Sequence, residues 1–152
     1  MRFLLVLILL AASPALAAVR VVDGDTIRVD GQRVRLWGID APEKRQSCRI
    51  DGVERAVGEE ATDRLRSILA QGELRCRTRD RDRYGREVAE CWVGSRSIGE
   101  MMVRSGWAWA LPRYSRDLYL PAQKEAERAG RGVWAGRGHC EAPARFRQDH
   151  RR

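Results

Sequence analysis

Histidine is nearly absent. The 152-residue chain has two, His139 and His150, and neither sits in a partner pattern, so both read as surface residues. No C-x-x-C spacing occurs, and His139 is the one histidine near a cysteine, so a zinc site finds no ligand set. Beyond Ala12 no stretch is apolar enough to cross a membrane. No internal repeat is present, which excludes solenoids and propellers. No paired-carboxylate pattern of the glycosidase kind appears. The length suggests one domain.

The N-terminus is different in kind. Arg2 gives a short positive start, Phe3 to Ala12 is an unbroken apolar run, and Pro14 breaks it. Ala15-Leu16-Ala17 then supplies an A-x-A cleavage signal. The apolar run would span about 15 Å as a helix, roughly half a bilayer core. Residues 1–17 therefore read as a signal peptide rather than an anchor. The expectation is export to a periplasm or the cell exterior, with no membrane attachment after cleavage.

Acidic residues are outnumbered, 21 against 29 basic ones, for a net charge of +8. A surface this basic attracts polyanions, and charge alone does not say which. All four cysteines, Cys48, Cys76, Cys91 and Cys140, lie in the exported part. An even count in an oxidising compartment reads as two disulfides.

Short strands come first. Val19–Val22, Thr26–Val29 and Arg33–Trp37 alternate apolar with polar residues and are separated by Asp23-Gly24 and Asp30-Gly31. Residues 44–57 are polar and irregular and read as a loop. Glu59–Ala70 has helical spacing in Ala61, Leu65, Ile68 and Leu69, and ends before Gly72. Two further strands, Leu74–Thr78 and Glu87–Val93, flank a charged connection with Gly85 as its turn residue. Ile98–Arg104 and Pro121–Ala129 read as helices. Residues 18–136 form the domain, and 137–152 read as a basic, flexible, solvated tail. Five short strands with a helix after the third fit the five-stranded Greek-key barrel that binds oligonucleotides, in an α+β chain with three helices. Trp37, Trp92, Trp107, Trp109 and Trp134 read as core.

The hairpin register has a consequence for the cysteines. Folding it about Arg83-Tyr84 sets Cys76 opposite Cys91, at a Cα separation of about 4.5 to 5.5 Å that a disulfide can bridge. A slip of one residue would put them on opposite faces. Cys48 and Cys140 are then left, paired by elimination or both free.

Asp25 sits at a strand junction, and Asp40 and Glu43 follow a strand. If the meander folds back they converge, and such hard oxygen donors suit calcium or magnesium. Arg35 lies near the end of the third strand, and Arg86 follows Tyr84-Gly85 at the hairpin. Two guanidinium forks beside a divalent cation would clamp the charge that develops in phosphoryl transfer.

Three blocks carry a resemblance: Val22-Asp23-Gly24-Asp25-Thr26, then Val34-Arg35-Leu36-Trp37-Gly38-Ile39-Asp40-Ala41-Pro42-Glu43, then Asp82-Arg83-Tyr84-Gly85-Arg86. In order and spacing they resemble the signature blocks of the staphylococcal nuclease (thermonuclease) family. Gly106-Trp107-Ala108 and the Glu125 to Trp134 segment are similar to its last helical blocks. The likeness spans about Val19 to Trp134. It implies an OB-fold barrel with three helices, and roles by position. Asp25, Asp40 and the Ala41 carbonyl would hold calcium. Glu43 would serve the attacking water as base, and Arg35 and Arg86 would hold the scissile phosphate. Arg83 and Tyr84 would contact a neighbouring phosphate. The family's aromatic residues after the second helix flank the nucleotide; here the sequence departs, with the stretch Ala110-Leu111-Pro112-Arg113-Tyr114, in which Tyr114 could stack on a base or simply pack.

The implied protein is a monomeric, exported, calcium-dependent endonuclease. It would act on DNA and RNA with little sequence preference and leave 3′-phosphate ends. Two alternatives stand beside it: an OB-fold module that binds nucleic acid without cutting, and a processing factor for an exported anionic polymer.

Overall fold

The computed structural model describes residues 18–136 and 140–150. The signal-peptide segment lies outside them, as does His139. The strands are β1 (Val19–Asp23), β2 (Thr26–Val29), β3 (Gln32–Leu36), β4 (Ile39–Asp40), β5 (Cys48–Ile50), β6 (Val53–Arg55), β7 (Leu74–Arg81), β8 (Glu87–Val93), β9 (Arg96–Ser97) and β10 (Trp109–Ala110). The helices are α1 (Val57–Leu69), α2 (Ile98–Arg104), α3 (Pro112–Ser115), α4 (Leu120–Arg128) and α5 (Pro143–Asp149), with a 3-10 turn at Gly132–Trp134.

The main sheet runs β1-β2-β3-β8-β7, and β9 pairs with β8. Its pairs are antiparallel except β3 with β8, which is parallel. This is the five-stranded Greek-key order of the OB fold. Among the described residues the recorded pairings leave β1 and β7 at the two ends of the path. β4 pairs with β10, and β5 with β6, as separate two-stranded pieces.

Alternation builds the core. Ile27, Val34, Leu36, Ala89 and Val93 turn inward from the sheet. α1 meets them with Ala61, Leu65 and Ile68, three residues on one helical face. Met102 and Val103 of α2 and Tyr119 beside α4 close the cluster. Each fully buried Leu or Ile adds about 1.5–3 kcal/mol relative to exposure. A smaller cluster joins Ile50, Val57, Val133 and Cys140, with Trp107, Trp109 and Trp134 packed against it. Trp37 packs on the main core. Trp92 departs from expectation: it packs against neither cluster, and Arg77 lies over its ring at 5.8 Å from the centroid.

Three sequence readings need correction. Residues 44–57 are not all loop: β5 and β6 form a hairpin around Asp51-Gly52, whose φ angles are 49° and 81°. Its arms are too short and polar to show alternation, although Asp-Gly is the turn signal already met at Asp30-Gly31. The three expected helices, α1, α2 and α4, are accompanied by two more, α3 and α5. The third correction concerns the basic tail, in which Pro143–Asp149 is helical. The order there comes from anchors elsewhere in the chain: a disulfide at Cys140, burial of Pro143 and ion pairs of Arg147.

Both expected disulfides form, Cys76–Cys91 and Cys48–Cys140. The register sets Cys76 opposite Cys91, and a bulge at Arg79 then shifts the outer part of the hairpin by one residue. The Cys76–Cys91 link spans 15 residues. In the chain-entropy account a loop of this size is worth about 3 kcal/mol. Replacing both cysteines by alanine should lower the unfolding free energy by about that amount, read from denaturant midpoints. An unchanged midpoint would show that the hairpin needs no brace.

Candidate active site

Every site residue picked from the sequence lines one open cleft of about 1470 Å³: Asp25, Arg35, Asp40, Ala41, Glu43, Arg83, Tyr84, Arg86 and Tyr114. Asp25 and Asp40 are buried, at 5% and 3% exposure. Between them stands Arg35 of β3, whose Nη2 lies 3.0 Å from Asp25 Oδ2 and 2.9 Å from Asp40 Oδ1. β3 is a central strand, with Arg35 opposite Thr26 on one side and Val88 on the other.

Small residues make this convergence possible. A Cβ on Gly24 would stand 2.7 Å from the Ala41 Cβ, so only glycine lets the β1–β2 corner close on the 39–43 segment. There Ala41 N donates to Asp25 Oδ2 at 3.2 Å, and Thr26 Oγ1 donates to Oδ1 at 3.0 Å. Gly58 does the same for Glu43: a Cβ would lie 1.9 Å from the Glu43 carbonyl oxygen, which is backbone and cannot yield. Gly58 N donates to Gln46 O, and Gln46 Oε1 accepts from Glu43 N. The turn that presents Glu43 is thus fixed against the first turn of α1.

At the other rim Asp82 organises the β7–β8 turn. Its Oδ1 accepts from Tyr84 N and Arg86 N, and its Oδ2 accepts from Arg86 Nε at 2.7 Å. Desolvation raises its pKa, but the hydrogen bonds from Arg86 and Tyr84 together outweigh this and hold it below the ordinary range. Arg83 and Arg86 lie over the exposed Tyr84 ring, and Arg113 lies over the exposed Tyr114 ring.

One residue was not foreseen. Arg147 of α5 donates from Nη1 to Glu43 Oε1 at 2.6 Å and to Asp40 Oδ1 at 3.1 Å, and from Nη2 to Asp40 Oδ2 at 2.9 Å. In the sequence it is one arginine among many in a basic tail, with no local signal. Burial pulls its pKa down, but hydrogen bonds to Asp40 and Glu43 more than reverse this and carry it above the usual arginine range. Buried Gln46 and the turn residue Asp82 were also missed as site supports.

Among the described residues no group of three or more carboxylate, cysteine or histidine side chains gathers in metal-holding geometry. Arg147 bridges Asp40 to Glu43. The donor set still fits a hard divalent cation. Asp25 and Asp40 share one guanidinium nitrogen, the Ala41 carbonyl is adjacent in the chain, and three carboxylates face two guanidiniums. Burial pushes the Asp25 carboxyl up to about 7, with Arg35 opposing and Asp23 and Asp40 adding to the rise.

This has a measurable sign. A folded-state pKa above the unfolded value means that the folded chain holds the Asp25 proton more tightly. The stability this gives is complete below the ordinary value of 3.8 and is lost as pH rises through about 7. With chelator present, Asp25→Asn should therefore gain melting temperature over wild type as pH rises between those limits, then level off. A difference independent of pH would show that Asp25 titrates normally.

Residues 33–136 match the model of the staphylococcal nuclease homologue family. The chain is 37% identical over 123 residues to an uncharacterized endonuclease of Escherichia coli O157:H7, covering 77% of this chain and 74% of that one. It is 32% identical over 127 residues to a thermonuclease of Staphylococcus hyicus, covering 77% and 73%. A succinoglycan biosynthesis protein, ExoI, of Rhizobium meliloti is 34% identical over 145 residues, covering 93% and 76%. The expected resemblance therefore holds, and the chain belongs to the staphylococcal nuclease family of phosphodiester-hydrolysing enzymes.

Proposed function

We propose that this nuclease is an exported, calcium-dependent endonuclease that cuts DNA and RNA with little regard to sequence and leaves 3′-phosphate ends. The observation that carries the proposal is the convergence of Asp25, Asp40, Glu43, Arg35 and Arg86 on one cleft. The 3′-phosphate polarity rests on the family resemblance alone. Export draws on the signal-like residues 1–17 and on two disulfides, which suit an oxidising compartment. No helix of the described residues is long and apolar enough to cross a membrane.

A phosphodiester is anionic and repels an incoming water. Arg35 and Arg86 line the cleft with their forks and would bind the phosphate oxygens, more strongly as charge builds in the five-coordinate transition state. Asp82 fixes the Arg86 guanidinium through Nε. Glu43, half-buried on its turn, would orient the attacking water and take its proton. Calcium, held by Asp25, Asp40 and the Ala41 carbonyl, would add positive charge beside the same phosphate. Tyr84 and Tyr114 expose rings that suit stacking on unpaired bases. All these contacts address phosphate or a generic ring face, so they carry no base code. The completeness of the polar set weighs against a module that binds without cutting.

Two results are expected. Plasmid nicking should require calcium and stop in excess chelator; full activity under chelation would remove calcium from the account. Arg35→Lys and Arg86→Lys keep charge but lose the fork. Each should lower kcat by at least about a hundredfold, the size of effect seen when one transition-state donor is lost. Wild-type turnover in a folded variant would take that arginine out of the phosphate clamp.

A further inference from the structure

The mechanism leaves Arg147 without a part, although it makes more contacts with the site carboxylates than Arg35 does. It is brought there by a built route. Cys140 is buried and bonded to Cys48. Gln46, itself 1% exposed, donates from Nε2 to the Glu141 carbonyl at 2.7 Å. Both anchors lie within five residues of Glu43, Gln46 closing its turn and Cys48 opening β5. Pro143 is buried, and the next turn of α5 carries Arg147 over the cleft, which Phe146 and His150 also line.

Arg147 takes the atoms the chemistry needs. Asp40 Oδ1 is already shared with Arg35, and Arg147 takes Oδ2. Glu43 Oε1, the oxygen of the candidate base, is taken by the same guanidinium. A carboxylate oxygen engaged this way has fewer free lone pairs to offer a metal ion or a water. Equally, three clustered carboxylates gain a counter-charge.

We propose that Arg147 is an internal cation occupying the ligand carboxylates, delivered by a helix tethered through Cys48–Cys140, and that a divalent cation must displace it to enter. The proposal rests on the reading of Asp25 and Asp40 as cation ligands. Apparent affinity for the cation is then the intrinsic affinity reduced by the fraction of molecules with Arg147 away from Asp40. The tether raises the local concentration of the guanidinium and so sets that fraction. Arg147 acts on the site carboxylates as a competing residue and is assigned no step of the cleavage itself.

Calcium titration calorimetry on the full mature chain, with disulfides intact and at fixed ionic strength, tests this directly. Arg147→Gln should bind calcium about tenfold tighter than wild type, within the roughly 5–150-fold range of coupled sites. Arg147→Lys, which keeps charge without the fork, should fall between. The double variant Cys48→Ser/Cys140→Ser, with the tether cut, should also bind more tightly. In the wild-type chain, saturating calcium should speed amide exchange in 143–149, a readout that needs no variant. Calcium binding of equal strength in wild type and folded Arg147→Gln, or exchange in 143–149 indifferent to calcium, overturns the role of Arg147 alone. Absence of calcium binding in every form overturns the metal reading and the competition with it.

Discussion

Two buried carboxylates sharing one guanidinium set the terms for this molecule. Asp25 comes from the β1–β2 turn and Asp40 from β4, and each is nearly sealed from water. Left alone they would repel, and removing the shared partner from such a buried group costs about 3–5 kcal/mol. Arg35 can serve both because it sits on a central strand, fixed by pairing on either side. The small residues follow from that demand. Gly24 and Ala41 let two corners touch, and Gly58 lets a helix press against the turn of Glu43. The fold concentrates negative charge and then surrounds it with cations.

That arrangement explains an apparent contradiction. The chain carries a net charge of +8, yet its cleft has an acidic floor. The floor is recessed, while the rim presents Arg81, Arg83 and Arg113. A polyanion approaching the rim meets positive charge and is steered inward. Recessed carboxylates would oppose the phosphate unless a cation covers them. The family assigns that task to a metal, and this chain holds a guanidinium of its own at the same oxygens.

Much of the scaffold was legible because it is periodic. Thr26–Val29 and Glu87–Val93 alternate, and Ile98–Arg104 ends at a glycine-marked stop, so these elements fall where the pattern put them. Cys76 and Cys91 could be paired because an antiparallel register is arithmetic. The bulge at Arg79 escaped, since an extra residue in a polar strand leaves no mark on the pattern. The cleft residues were legible as motif blocks, and the structure gathers them. Gln46 and Arg147 were not, because their importance is set by contacts across 95 to 107 residues of chain. The order of α5 likewise comes from a disulfide and ion pairs, which have no local period.

The central claim is that the Asp25–Arg35–Asp40 cluster holds a divalent cation beside the phosphate-binding arginines. The most direct measurement is an anomalous difference map from crystals of the mature chain grown with calcium. The account predicts one strong peak about 2.3–2.6 Å from the carboxylates of Asp25 and Asp40 and from the Ala41 carbonyl, with Arg147 moved off Asp40. A map with no peak at these oxygens, and Arg147 still paired to Asp40 at saturating calcium, would contradict it.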